Sequence, residues 1–191
     1  MRLRQISPPS ATPITVGEAR DHLELFGSGH DSKLAGMIAG AVSHLDGVTG
    51  VLGRALVEQE WELSLDSFGG AAISLPLPPL KAVTSVTYID PAGAEQTLSS
   101  SAYKVDAGEN GRLLPAFGTT WPSTRAESGA VRVRFTAGYG TAPADVPAAI
   151  RSALLLMVGD LFENREAQTA GPLIGNPTVD NLLFPFRKVF P

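Results

Sequence analysis

The sequence predicts an α+β protein. It should be a small helical bundle of two N-terminal helices and one long C-terminal helix, with an inserted antiparallel β subdomain and an extended C-terminal tail. Three observations carry this. Along residues 146–166, Ile150, Leu154, Met157, Val158 and Leu161 recur at three- and four-residue spacing, the period of a helix with one buried face. A similar period runs through residues 15–50. From Arg54 it changes to two: Val57, Trp61, Leu63 and Leu65 alternate with Glu58, Glu60, Glu62, Ser64 and Asp66, as in a strand with one wet face. The expected division is 1–53 for an N-terminal arm and two helices, 54–140 for the β subdomain, 141–168 for the long helix and 169–191 for the tail.

The chain has 191 residues. A chain of that length can bury roughly 70% of its unfolded surface and needs no covalent staple. It has no Cys, which excludes disulfides, thiolate zinc sites and cysteine nucleophiles together. A net charge of −4 with 18% charged residues does not describe a nucleic-acid binder recognised by charge. Met1-Arg2-Leu3-Arg4 lacks the apolar run of a signal peptide. The stretch Ala153–Gly159 is far too short to span a bilayer. The expectation is a soluble protein made in the cytosol, with no membrane partner.

Residues 1–13 read as an extended arm, stiffened by Pro8, Pro9 and Pro13. Thr15-Val16-Gly17-Glu18 is a capping box, in which the Thr15 hydroxyl accepts from the Glu18 backbone and Glu18 reaches back. A short helix should run to about Leu25 with Ala19, Leu23 and Phe26 inward, stopped by Gly27-Ser28-Gly29. Asp31 or Ser32 opens a second helix whose buried stripe is Leu34, Met37, Ile38, Ala41, Leu45 and Val48. Ala35, Gly36, Ala39 and Gly40 are small and would permit a close crossing with another helix. Strands follow at 57–65, 73–77 and 83–90. Asp90-Pro91-Ala92-Gly93 is a turn signature leading to a partner at 95–98. Segments 103–106 and 112–114 flank the turn at 108–111, and Val131, Val133 and Phe135 mark a last strand. Pro147 suits the first turn of the long helix, with Asp145 placed favourably for its dipole. Leu155, Leu156 and Phe162 widen its apolar face, so it should touch more than one neighbour before ending at Glu163-Asn164-Arg165-Glu166.

The tail contains Gly171-Pro172 and Asn176-Pro177, yet Leu182, Leu183, Phe184, Phe186, Val189 and Phe190 crowd its end. Two readings stand: a short terminal helix folding back on its own domain, or an arm that docks on another subunit, since exposed apolar clusters mark contact sites.

Catalytic patterns are weak. His22, His30 and His44 include no i,i+4 pair with a glutamate between, as a zinc protease has. His22, Glu24, His30 and Asp31 read better as helix-end and loop residues than as metal ligands. No Gly-x-Ser-x-Gly nucleophile turn exists. Gly27-Ser28-Gly29 lacks a third glycine and a preceding strand, and Gly138-Tyr139-Gly140 has Pro143 where the third glycine belongs. Glu58, Glu60 and Glu62 share a strand face and read as the solvated side of an edge strand, with Arg132 and Arg134 as possible partners. Trp61, Trp121 and Tyr139 could grip a carbohydrate or a capsid surface, the alternative function; Trp61 and Trp121 read more simply as packing residues. No enzyme activity, metal or cofactor is expected.

Several segments in order resemble one family. Pro13-Ile14-Thr15-Val16-Gly17-Glu18-Ala19-Arg20-Asp21-His22-Leu23 is similar to the opening helix of phage head–tail connector proteins, the adaptor family of long-tailed phages. The second helix, with Asp31, Leu34, Ile38, Ala41 and Thr49-Gly50 before Arg54-Ala55-Leu56, is similar to theirs. Trp61-Glu62-Leu63, Pro78-Pro79-Leu80, Val83–Tyr88 and Phe135–Gly140 resemble the larger variant with a β insertion. Asp145-Val146-Pro147, Ile150 and Glu163–Glu166 resemble its last helix. The resemblance covers about residues 13–166. It implies a ring, usually of twelve copies, beneath the portal ring at one capsid vertex, in an infectious phage or a phage-like gene transfer agent. Such a ring extends the channel for double-stranded DNA without sequence-specific binding and carries the stopper or tail-side protein. On this reading Leu182, Leu183, Phe184, Phe186 and Phe190 meet the portal, Ala35, Gly36, Ala39 and Gly40 lie between ring neighbours, and the protein resides in the virion neck.

Overall fold

The computed structural model describes residues 1–164 and 176–188. In chain order its elements are β1 (Arg2–Ser7), α1 (Val16–His22), α2 (Asp31–Leu45), β2 (Gln59–Leu65), β3 (Ile73–Ser74), β4 (Leu80–Ile89), β5 (Glu95–Thr97), β6 (Tyr103–Asp106), β7 (Arg112–Pro115), β8 (Val131–Ala137), α3 (Ala148–Glu163) and α4 (Pro177–Leu183). The class is α+β, as expected. Two compact units form: residues 1–10 with 58–139, and residues 11–57 with the described residues from 140 onward.

The first unit is built on an antiparallel sheet in the order β1-β2-β8-β4-β5. Alternation in β8 explains its position at the centre. Val131, Val133, Phe135 and Ala137 are buried, while Arg132, Arg134 and Thr136 point to the other face. β2 continues this pattern, with Trp61 opposite Phe135, Leu63 opposite Val133 and Glu62 opposite Arg134. The acidic side of β2 was expected on an edge strand. It lies on an interior strand instead, because residues 2–7 of the expected arm pair with it, Arg4 opposite Glu62 and Arg2 opposite Ser64.

The turn after β4 forms as expected. The Asp90 carboxylate accepts from Gln96 Nε2 at 2.9 Å, Ala94 N–H at 3.0 Å and Ala92 N–H at 2.9 Å. These bonds hold its pKa below the usual carboxylate value. A smaller sheet, β3-β7-β6, completes the unit. Leu75 and Leu77 are buried, but only Ile73–Ser74 of that segment forms a ladder. Leu80 exchanges two backbone hydrogen bonds with Gly108 at 2.9 Å. Its side chain sits over Gly111, where a Cβ would lie 2.5 Å from that of Leu80; no side chain fits there without displacement.

The second unit is helical. Both halves of the capping box form at α1: Glu18 N–H donates to Thr15 Oγ1 at 3.1 Å and Thr15 N–H donates to Glu18 Oε2 at 2.7 Å. Burial pushes the Glu18 carboxyl up, but these bonds and the Arg151 guanidinium outweigh it and leave the pKa below its ordinary value. α1 stops at His22 rather than near Leu25, since Glu24 turns left-handed at φ +54. Phe26, expected inward, is 97% exposed. α2 buries Leu34, Ile38, Ala41 and Leu45. Val48 follows the end of the helix and is exposed rather than part of the stripe.

α3 packs against α1, α2 and α4, as its wide apolar face requires. Ile150, Ala153, Leu154, Val158 and Phe162 form its buried side. Leu161, expected inward, is exposed, because it sits one position, about 100°, before Phe162 on the helix. Arg165 and Glu166 of the expected polar ending lie outside the described residues.

Candidate functional site

Three surfaces follow from the folding of these elements. The first is the C-terminal segment. Asn176 caps α4 by accepting from Thr178 N–H at 3.1 Å, and Pro177 occupies the start of the helix. Leu183 is buried, Leu182 and Phe186 are half-buried, and Phe184 is 74% exposed. Phe190 lies outside the described residues. The segment is fastened by Arg54, whose Nε donates to the Phe186 carbonyl at 2.6 Å and whose guanidinium lies 5.9 Å from the Phe186 ring centre. Lys188 N–H adds a bond to the Leu52 carbonyl at 3.0 Å. The described part of the tail therefore folds back on its own unit, as in the first of the two readings, while Phe184 remains exposed.

Sequence reasoning missed Arg54. It is 5% exposed, and a buried guanidinium demands acceptors. A single charge inside the apolar run Val51-Leu52-Gly53-Arg54-Ala55-Leu56-Val57 was the available signal.

The second surface is the outward side of α2. Ala35, Gly36, Ala39 and Gly40 are all exposed. A Cβ added at Gly36 or Gly40 would meet nothing within 4 Å. Among the described residues no helix crosses there, so their packing does not explain the glycines. Each costs roughly 1 kcal/mol of helix stability relative to alanine.

The third surface is the outer face of the large sheet. Glu62 Oε1 accepts from Arg4 Nη2, and Glu62 Oε2 accepts from Arg134 Nε, both at 2.9 Å. The Glu62 side chain is 8% exposed, those of Arg4 and Arg134 66% and 47%. Burial raises the Glu62 pKa, and the two arginines outweigh it, so the carboxyl titrates below its usual range. Arg134 is thus the partner that the sequence suggested for the acidic strand. Arg132 pairs with Glu95 at 3.3 Å instead.

The remaining candidates do not converge. His30 packs edge-on against Phe162 at 5.6 Å, Asp31 is bonded by Arg20 at 2.9 and 3.1 Å, and His44 is exposed. Among the described residues no group of three His, Asp or Glu could hold a metal ion. Trp61 is buried, with its indole N–H donating to Gln59 Oε1 at 3.2 Å. Trp121 stacks on Phe68 at 4.9 Å and donates to the Gly70 carbonyl at 3.1 Å. One face of its ring is therefore already covered, and the two indoles act as packing residues. Tyr139, at the end of the unit, is half-buried.

No protein-family model matches this chain, and no curated protein matches it significantly. Solved structures do. A chain in the neck of an empty GTA particle, computed with C6 symmetry, superposes with a TM-score of 0.80 at 25% identity, covering 100% of this chain and 97% of that one. A chain of the virion of a native gene transfer agent (GTA) particle matches at 0.79, with the same identity and coverage. A chain in the neck of a native GTA particle, computed with C12 symmetry, matches at 0.73, again at 25% identity and over 100% and 97% of the two chains. The fold is thus similar end to end to that of structural components of a phage-like particle.

Proposed function

We propose that this chain is a structural component of the virion neck and, within it, the head–tail connector, or adaptor. Twelve copies form a ring beneath the portal, and the ring extends the channel through which double-stranded DNA passes. The ring also offers its far side to a stopper or tail-side protein. The observation that carries this reading is the full-length similarity to a neck chain at TM-score 0.80. A net charge of −4 suits a wall past which phosphates slide, since a basic wall would hold them.

In this reading the small face of α2 (Ala35, Gly36, Ala39, Gly40) is where ring neighbours approach. A ring interface is heterologous, so this face meets a different surface on the next copy. Leu182, Leu183, Phe184, Phe186 and Phe190 form the portal contact. Phe184 can engage from the folded-back position, whereas contact through Leu183 requires the segment to leave its place beside Arg54.

The test is electron microscopy of particles from a producer carrying an early stop codon in this gene. Heads without tails, filled or leaked, with free tails where tails assemble independently, are expected. Normal tailed particles would overturn the adaptor reading. Deleting 179–191 should separately abolish co-purification with portal; unchanged co-purification would remove the role assigned to the tail.

A further inference from the structure

The outer strand β1 leaves one ladder of the large sheet open. It stands at the end of the strand order, and among the described residues it pairs only with β2. Half of its backbone N–H and C=O groups therefore point away from the sheet, a template for a further strand. The side chains beside that edge are patterned. Across the outer face one row reads Arg4, Glu62, Arg134, alternating positive, negative and positive. The next reads Arg2, Ser64, Arg132. Arg4, Arg134 and Arg132 each have a carboxylate partner, whereas Arg2 has none among the described residues. A groove of about 540 Å³ lies over this corner, lined by Arg2, Leu3, Arg4, Glu62, Ser64 and Arg132.

We propose that the free edge of β1 receives an extended segment of a partner protein that carries acidic side chains at alternate positions, opposite Arg4 and Arg2. Three features select this occupant. An acid opposite Arg4 continues the charge alternation of its row, and opposite-charge cross-strand pairs stabilise while like charges destabilise. Pairing β1 with the β1 of a second copy would set arginines near arginines, which disfavours self-association through this edge. A nucleic acid would bring its phosphates against Glu62 and Glu95 as well as against the arginines. The length of the added strand is also bounded. The register of β1 on β2 is regular over Arg2–Gln5 and shifts before Ser7, and Pro8 and Pro9 then lack the N–H groups a ladder needs. About four residues, two of them acidic, would pair. This inference stands on the sheet alone and does not depend on which position in the neck the protein occupies.

The test uses the full chain, isotope-labelled for NMR, and capped peptides. The probe is Thr-Glu-Thr-Glu-Thr; the controls are Thr-Lys-Thr-Lys-Thr and the glutamate peptide N-methylated at alternate residues. The glutamate peptide should shift and protect the amides of Arg2–Gln5 and bind roughly tenfold more tightly than the lysine peptide. N-methylation on the bonding edge should abolish the effect. Arg2→Glu should reverse the charge preference, and Arg2→Ser should bring the two peptides to within about threefold of each other. The proposal is overturned if no peptide perturbs β1, if both charges bind alike, if N-methylation has no effect, or if a short DNA duplex perturbs these amides and the glutamate peptide does not.

Discussion

Replacing Glu62 by glutamine removes one charge from the sheet while keeping shape. The carboxylate accepts two hydrogen bonds at 2.9 Å from two arginines and is nearly sealed from solvent. In a dry interior two bonds to a charged group would contribute about 3–6 kcal/mol together. The arginines, however, keep much of their surface in water, and exposed ion pairs contribute about 0–1 kcal/mol each. Water recovers most of what each guanidinium loses, so the cost of Glu62→Gln at neutral pH should be about 1–2 kcal/mol. Both tryptophans of the chain, Trp61 and Trp121, lie in this unit, so their fluorescence reports its unfolding in urea. The expected result is a lower midpoint at unchanged slope.

The pH dependence supplies a second, independent check. The folded Glu62 pKa lies below its ordinary value, and an unfolded glutamate titrates near 4.3. The stabilisation is therefore complete above the unfolded value and is lost as pH falls through the folded one. Glutamine does not titrate, so the gap between wild type and variant should be constant above about pH 5 and close as the solution is acidified further. Asp66 and Asp90, also lowered, are common to both proteins and cancel in the comparison. Equal midpoints at pH 7, or a gap undiminished in acid, would refute the assignment of Glu62 as the charged centre of this face.

Gly111→Ala should destabilise the same unit by about 1–3 kcal/mol, read by urea denaturation, because its Cβ must displace Leu80. Gly36→Leu should leave the helical unit folded, by circular dichroism, since nothing lies within 4 Å of that position, yet it should prevent ring formation in particles if the small face of α2 is the ring contact. Arg54→Met should cost about 1–3 kcal/mol by leaving the Phe186 carbonyl without its donor. Hydrogen exchange should then quicken selectively at the amides of Leu183–Lys188, and uniform exchange across the chain would refute that anchoring role.

Elements whose formation depends on local chemistry were legible in the sequence. The Thr15–Glu18 box and the Asp90–Gly93 turn each contain both partners of their defining interaction within a few residues, and the alternation of Val131, Val133 and Phe135 marks a strand by its own period, whatever it pairs with. β1 was not legible. Its pattern, Arg2, Leu3, Arg4, Gln5, is too short to distinguish a strand from an arm, and its partner Glu62 lies 58 residues away. The end of α1 was missed for a different reason. The left-handed residue that stops it is Glu24, not glycine, so the apolar period ran on to Phe26 and drew an exposed ring into the expected core.

The proposed contact surfaces are harder to read because a sequence records residue types and not whether a position has intrachain neighbours. Gly36 and Gly40 looked like a close helix crossing, and such a crossing normally shows as backbone lying over the glycine. Among the described residues nothing lies within 4 Å of a Cβ at either position, so about 2 kcal/mol of helix propensity is given up with no packing contact from them in return. Leu183 illustrates the converse. Its type and its apolar setting suggested a docking residue, but the fold buries it, fastens the segment through the Arg54–Phe186 bond and leaves Phe184 outward. Adjacent positions of one short segment thus have opposite fates: burial keeps Leu183 within its own unit, and the Phe184 ring stands outward with no unfolding needed to reach it.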